Sequence, residues 1–339
     1  MNKPIIVSMG EPSGIAPEIA IKAWQILHAT EHHFAIIGDA EPFLRAADAA
    51  NIEIRIIADI AETAHYFPNA LPILHTAKLN EKAILGRPSP KNAPAIIEAI
   101  KQAIGLVKEG NAKALVTLPI AKSVLYEAGF EFAGHTEFVA HEVRTMPFHH
   151  ARGPVMMLGI DGLKVALVTI HAPISVVPSL LTIDKIMDVV RVVNSSLKND
   201  FGIPNPRIAL LGLNPHAGEN GAIGREEMEI INPAAQLLRE GGIDCSDALP
   251  ADSAFSPHSR AHNDCFIAMY HDQGLIPIKA LDFWGGVNVT LGLPIVRTSP
   301  DHGTGFDIAG KNIAKPDSLI AAIKMAADIA DNRAKNNGK

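Results

Sequence analysis

Three histidines stand where strand-like apolar runs end. His171 follows Val165-Ala166-Leu167-Val168-Thr169-Ile170 and precedes Ala172-Pro173. His216 lies just beyond Ile208–Leu213, in the turn Asn214-Pro215-His216-Ala217-Gly218-Glu219. His271 follows Phe266-Ile267-Ala268-Met269-Tyr270 and precedes Asp272-Gln273-Gly274. In open α/β sheets, ligands bind beyond the carboxyl ends of strands. Three imidazoles at three such ends therefore predict one functional edge. Neutral imidazole binds zinc, cobalt, nickel or iron, and three protein ligands leave positions open for a substrate. A single His in such a place reads as a turn or capping residue, and the threefold repetition is what favours a metal site. His258 and His262 share the i, i+4 spacing of a helical metal pair. They sit in a polar Ser/Pro/Asn-rich stretch and read as surface, as do His32-His33 and His149-His150. No H-E-x-x-H or C-x-x-C pattern occurs.

Three further loops have the composition of ligand loops. Gly134-His135-Thr136-Glu137 opens a helix, whose free first-turn N–H groups attract an anion while the Thr hydroxyl and His ring add donors. The plain alternative is Thr136 as an N-cap. Thr117-Leu118-Pro119-Ile120-Ala121-Lys122 sets a Lys after a strand end, either to reach a phosphate or to be solvated. Gly10-Glu11-Pro12-Ser13-Gly14-Ile15-Ala16-Pro17-Glu18 links the first strand to a helix. It is not G-x-G-x-x-G, so no Rossmann fingerprint is present. In Asp301-His302-Gly303-Thr304-Gly305-Phe306-Asp307-Ile308-Ala309-Gly310-Lys311 the glycines let backbone approach a ligand, and Asp307 can accept from a ribose or adenine.

The elements that must position these residues alternate. Apolar runs of strand length are Pro4–Met9, Phe34–Gly38, Glu53–Ile57, Lys113–Thr117, Pro154–Leu158, Leu163–Ile170, Arg207–Leu213, Asp264–Tyr270 and Val287–Leu291. Helical periodicity covers Ile15–His28, Asn92–Glu109, Thr136–Val143, Ile183–Lys198, Glu226–Arg239 and Leu319–Asn332. Thr182 and Ser318 are candidate caps. Strand alternating with helix predicts an α/β fold with a mostly parallel or mixed sheet. A chain of 339 residues suggests two domains. The expected crossings lie around Phe130–Gly134 and Trp284–Gly286. The first domain then takes residues 1–130 and 285–339, and the second takes 131–284. Gly86–Pro90 reads as a loop or lid, and residues from Asn332 onward as a polar fraying tail.

Composition narrows the function. With 47% apolar and 19% charged residues the chain is globular. A net charge of −6 argues against a nucleic-acid surface, and with 12 Phe, 3 Tyr and 2 Trp a base-stacking platform is not expected. Cys245 and Cys265 cannot form a disulfide framework and suit a reducing cytosol. No apolar run approaches the roughly 20 residues of a membrane span, and the N-terminal run is too short for a signal segment. A cytoplasmic protein without membrane or nucleic-acid partners is expected.

Together these motifs resemble the 4-hydroxythreonine-4-phosphate dehydrogenase family of vitamin B6 biosynthesis, along nearly the whole chain. The resemblance is carried by residues 10–18, Gly134-His135-Thr136-Glu137-Phe138, Gly212–Glu219, Leu249-Pro250-Ala251-Asp252, Ala268–Gly274, Gly286–Pro294 and the 301–311 loop. The 10–18 and 301–311 loops are also similar to those of isocitrate and isopropylmalate dehydrogenases, which bind a dinucleotide without a Rossmann fingerprint. The resemblance implies two α/β/α domains with a cleft between them, and a homodimer with ligands from both subunits at its active site. It implies NAD or NADP, and one divalent metal per subunit (zinc, cobalt or magnesium) held by His171, His216 and His271. Substrate positions carry over to His135, Thr136, Lys279, Asn288 and Arg297. Asp252 and Asp272 are further candidates for substrate contact or proton transfer, beside Lys279 or a metal-bound water. Gly14, Gly303, Thr304 and Asp307 are the cofactor candidates. Ser253, Gly305-Phe306 and Asn312 depart from the family pattern and bear on the choice between NAD and NADP.

The implied reaction is oxidation of 4-phosphohydroxy-L-threonine to a β-keto acid that then loses carbon dioxide. A rival within the family acts on 4-phospho-D-threonate or 4-phospho-D-erythronate, which carry a hydroxyl in place of the amine. More distant readings are a metal-dependent hydrolase, which leaves the 301–311 loop without a role, and a non-catalytic binder of phosphorylated metabolites.

Overall fold

A computed structural model describes residues 3–337. In chain order the strands are β1 (Ile5–Ser8), β2 (Phe34–Gly38), β3 (Ile54–Ile57), β4 (Leu71–His75), β5 (Ala114–Thr117), β6 (Val155–Ile160), β7 (Leu163–Leu167), β8 (Ile208–Leu210), β9 (Cys265–Ala268), β10 (Val287–Leu291) and β11 (Arg297–Pro300). Helices alternate with them, giving the expected α/β class.

The chain packs as two compact units. One runs as far as Met146 and takes up Pro294–Asp331; the other holds Pro147–Leu293 and the stretch from Asn332. Both crossings fall later in the chain than residues 130 and 284. Thr136 in this segment meets the Arg297 guanidinium of β11 at 3.5 Å, a contact within the first unit. β10 pairs antiparallel with β6, which keeps it with the second. The supposed tail is helical as far as Asn337. It is tied down because Arg333 donates to both carboxylate oxygens of buried Asp200, at 2.6 and 3.1 Å, and Asn332 to the Asp200 carbonyl.

In the first unit the strands run β3-β4-β2-β1-β5-β11, and every pair is parallel. β1, β2 and β5 are buried at every position, as continuous apolar runs in a parallel sheet require. The helix Ala16–Leu27 starts with Pro17 in its first turn and buries Ile19, Ala20, Ala23 and Leu27. β4 and β11 escape the sequence pattern. β4 contains Pro72, and Arg297-Thr298-Ser299-Pro300 has no run of large apolar residues. β11 is nevertheless buried, pairing Arg297 with Leu115 and Thr298 with Val116 of β5. The helix Glu41–Ala50 has no counterpart among the expected helices. Ser318 lies inside the final helix, which begins at Asp317, and its hydroxyl accepts the Asp301 N–H at 3.0 Å.

In the second unit the order is β10-β6-β7-β9-β8, antiparallel across β10, β6 and β7 and parallel across β7, β9 and β8. Leu158, Val165, Leu211, Phe266 and Ile278 form its core. The Thr182 hydroxyl caps the helix Ile183–Asn199 by accepting the Lys185 N–H at 3.1 Å. The run read as one helix over Glu226–Arg239 divides into a π-turn, Glu227–Ile231, and an α-helix, Asn232–Glu240. Pro233 has no N–H to continue an α ladder there. His258 and His262 lie on a short helix, Pro257–His262, where a loop was expected. Cys245 and Cys265 are buried free thiols, and burial pushes Cys265 up to about 12. No described helix is long and apolar enough to cross a membrane.

Candidate active site

Arg297, Thr136 and His135 come together within the first unit. Arg297, the first residue of β11, is 3% exposed. Its guanidinium donates to Thr117 Oγ1 at the end of β5, at 2.6 Å, and reaches Thr136 Oγ1 at 3.5 Å. Burial brings Arg297 down to about 10, against the opposing pull of Glu137, so it stays cationic at neutral pH. Gly134 precedes the helix His135–Glu142, and Thr136 lies within its first turn, so Thr136 is not its cap. His135 Nε2 is enclosed and without a hydrogen-bond partner. Burial first, then the charges of Arg297 and Lys122, hold its imidazole well below the usual range. A neutral ring, a guanidinium and free helix N–H groups thus face one place, which suits an oxyanion.

The three histidines belong to the second unit, beyond the carboxyl ends of the neighbouring parallel strands β7, β9 and β8. His171 is exposed on a bend after β7. His271 opens the helix His271–Leu281, which has no counterpart among the expected helices. Gly274 is required there. A Cβ would come within 2.7 Å of Leu167 and 3.0 Å of Val165, so the helix lies hard against β7. The His171 and His271 rings are 5.7 Å apart. Asp272 Oδ1 is 2.8 Å from His271 Nδ1; with the proton on Nδ1, Nε2 is left for a ligand.

His216 is presented differently. His216, Ala217, Gly218, Glu219 and Asn220 all have φ between 45° and 79°, a left-handed turn. Such a run is costly for non-glycine residues and persists only when its surroundings fix it. The anchor is Glu227, 1% exposed, which accepts the Asn214 N–H at 2.7 Å and the Asn214 side-chain amide at 3.0 Å. Glu226 accepts the same amide, which lowers its carboxyl below the usual range. Imidazole donors fit a divalent ion, and His171 and His271 are close enough to share one. Among the described residues, no group of three His, Cys, Asp or Glu side chains converges as a metal-holding cluster.

The remaining candidates are spread over both units. Lys279 lies in the last turn of the His271 helix, its Nζ 5.3 Å over the Phe283 ring. Asn288 is on β10, with Oδ1 enclosed and unpartnered. Asp252 is exposed on the short helix Ala251–Ala254. In the first unit the 10–18 and 301–311 loops lie against each other, the Ile15 N–H donating to the Thr304 carbonyl at 2.9 Å. A Cβ on Gly14 would collide with that carbonyl, so this glycine serves the packing of the loops. Gly303 has open space where a side chain would go, and Asp307 is exposed. Beside these loops a cavity of about 500 Å³ is lined by Gly14, Lys22, Arg45, Ala49, Gly310 and Asn312. Lys22 and Arg45 were not singled out in the sequence, because nothing in their spacing marks them.

Comparison with known proteins identifies the family. The family described as "Pyridoxal phosphate biosynthetic protein PdxA" matches residues 30–326. The 4-hydroxythreonine-4-phosphate dehydrogenase of Caulobacter vibrioides is 52% identical over 98% of this chain and 99% of its own. That of Maricaulis maris is 48% identical over 98% of each chain. The crystal structure of the Klebsiella pneumoniae enzyme of the same name superposes with a TM-score of 0.84 at 35% identity, covering 97% of this chain and all of that one. With a family match over most of its length and relatives of about half-identical sequence along all of it, the chain belongs to the PdxA family.

Proposed function

We propose that this protein oxidises the secondary alcohol of 4-phosphohydroxy-L-threonine with NAD or NADP. The hydride passes to nicotinamide and the hydroxyl proton to a base, giving 2-amino-3-oxo-4-(phosphooxy)butanoate. That β-keto acid loses carbon dioxide and takes up a proton to give 3-amino-2-oxopropyl phosphate, a precursor of pyridoxal phosphate. The observation that carries the reading is the buried Arg297 guanidinium beside Thr136 and the neutral His135 ring, in a chain 52% identical to an enzyme named for this activity.

Each group has a role. Arg297 and the first turn of the His135 helix grip an oxyanion, and the neutral His135 ring adds a hydrogen bond without requiring a proton. Asn288 offers an unpartnered carbonyl oxygen to a donor such as an amine. Lys279, Asp252 or Asp272 serves as proton acceptor. His171, His216 and His271 would hold zinc, cobalt or magnesium. A divalent ion there supplies Lewis acidity, lowering the pKa of an alcohol and stabilising negative charge. The loops at 10–18 and 301–311, with Gly303, Thr304 and Asp307, take the dinucleotide, and the adjoining cavity is of nucleotide size.

A homodimer completes the metal site. The elements that carry His171 and His271 also expose Ile174, Val176 and Leu180, and Ile276, Leu281, Phe283 and Trp284. So much exposed apolar side chain beside a pair of metal-ligand candidates supports a second copy of this chain as the cover. A cytoplasmic location suits the buried free thiols.

The test is nicotinamide reduction by metal-reconstituted protein, with 4-phosphohydroxy-L-threonine, 4-phospho-D-threonate and 4-phospho-D-erythronate run side by side, with and without chelator. Chelator-sensitive reduction with the amino acid is expected. Activity with the sugar acids alone moves the substrate to the rival class, and no reduction with any of them overturns the dehydrogenase reading.

A further inference from the structure

Lys122 stands at the edge of the anion cluster without a role in it. It follows β5 at the start of a short helix, Lys122–Glu127, and is exposed. A Cβ built on Gly134 would lie 3.1 Å from Lys122 Cε and 3.3 Å from Nζ. The ammonium therefore sits against the first turn of the helix His135–Glu142, where the backbone N–H groups are unpaired. Its charge is felt by His135, as is that of Arg297. A cation is disfavoured at a helix N-terminus, and more so beside a buried guanidinium. Among the described residues Lys122 has no hydrogen bond or ion pair that would explain the placement. Glu137, whose carboxylate oxygen is 3.6 Å from the same Gly134 position, is the acidic group facing this place and also acts on Arg297. One carboxylate offsets one of the two cations and leaves the other, the helix end and the enclosed His135 Nε2 uncompensated.

We infer that Lys122 is a substrate-binding residue, which with Arg297 and the His135 helix start forms a seat for a dianionic phosphate group. The inference rests on the reading of the substrate as phosphorylated. A phosphomonoester presents three terminal oxygens, enough to accept from Lys122, from Arg297 and from the helix N–H groups at once, where a carboxylate presents two. A Cβ at position 134 would press on the end of the lysine side chain, and glycine leaves that place free.

The test uses full-length, metal-reconstituted protein with Lys122→Met and Lys122→Arg. Inorganic phosphate is titrated by calorimetry, and kinetics are measured with 4-phosphohydroxy-L-threonine. Loss of one charge-assisted contact predicts phosphate binding weakened about tenfold or more in Lys122→Met, with Lys122→Arg within about threefold of wild type. KM should rise by a similar factor with kcat little changed. Phosphate affinity in Lys122→Met equal to wild type overturns the inference. Failure of the wild type to turn over the substrate strikes the proposed reaction instead, and the phosphate titration still decides the role of the lysine.

Discussion

Arg297 and His135 acquire their properties from burial. An exposed histidine takes a proton near 6.5, but His135 is held neutral well below that by desolvation and by two neighbouring cations. The consequence for stability has a definite sign. Above about 6.5 neither folded nor unfolded ring is protonated, and the native state keeps its full stability. As the pH falls, the unfolded chain binds the proton first, and stability is lost until the folded pKa is reached. Unfolding free energies of wild type and His135→Asn should therefore converge between about pH 7 and about pH 5, the wild type losing more. A wild-type His135 resonance that titrates near 6.5 by NMR would contradict this. Little of it was legible in the sequence. Gly134-His135-Thr136 suggested an anion site, but Thr136 read equally well as a cap. Arg297 came only from family resemblance, since Arg-Thr-Ser-Pro carries no strand period. Its burial is a property of its pairing with β5.

At the scale of elements, strands were easier to read than the turns beyond their ends. β2 and β10 occupy the residues their apolar runs predicted. The turn after β8 did not declare its handedness, because Pro-His-Ala-Gly-Glu contains one glycine and the left-handed run needs five residues of positive φ. The information lies in Glu227, distant by 13 residues from Asn214 and joined to it by hydrogen bonds. Gly218→Ala tests this directly. A Cβ there would come within 2.5 Å of Glu227 Oε2 and 2.9 Å of the Gly224 carbonyl, at φ +79°. The variant should lose on the order of 1–3 kcal/mol of stability and bind divalent metal more weakly, measured by chelator competition. Unchanged metal affinity would remove the turn from the site. Thr182→Ala, which removes only the cap of the Ile183 helix, should cost about 1 kcal/mol and leave metal affinity untouched.

For the whole molecule, the division into two units was foreseeable from length, but the crossings were not. They depend on Thr136 meeting Arg297 of β11, and on β10 pairing with β6. The end of the C-terminal helix looked dispensable by composition, yet Arg333 is paired to Asp200, whose side chain is 5% exposed. Arg333→Ala leaves that carboxylate buried without its cation and should cost about 3 kcal/mol or more in denaturant unfolding. Removing the exposed pair Lys91–Glu81 should cost less than about 1 kcal/mol. Sedimentation should give a species of two chains of 36.2 kDa. Trp284→Asp should shift it toward single chains that bind metal weakly. A wild-type monomer with full metal affinity would contradict the shared site. Coupled oxidation and decarboxylation fixes the product balance. Metal-loaded protein given 4-phosphohydroxy-L-threonine and NAD or NADP should form reduced nicotinamide and carbon dioxide in equal amounts, and Arg297→Met should form neither at a comparable rate. Reduced nicotinamide without carbon dioxide, or carbon dioxide without reduced nicotinamide, would contradict the account.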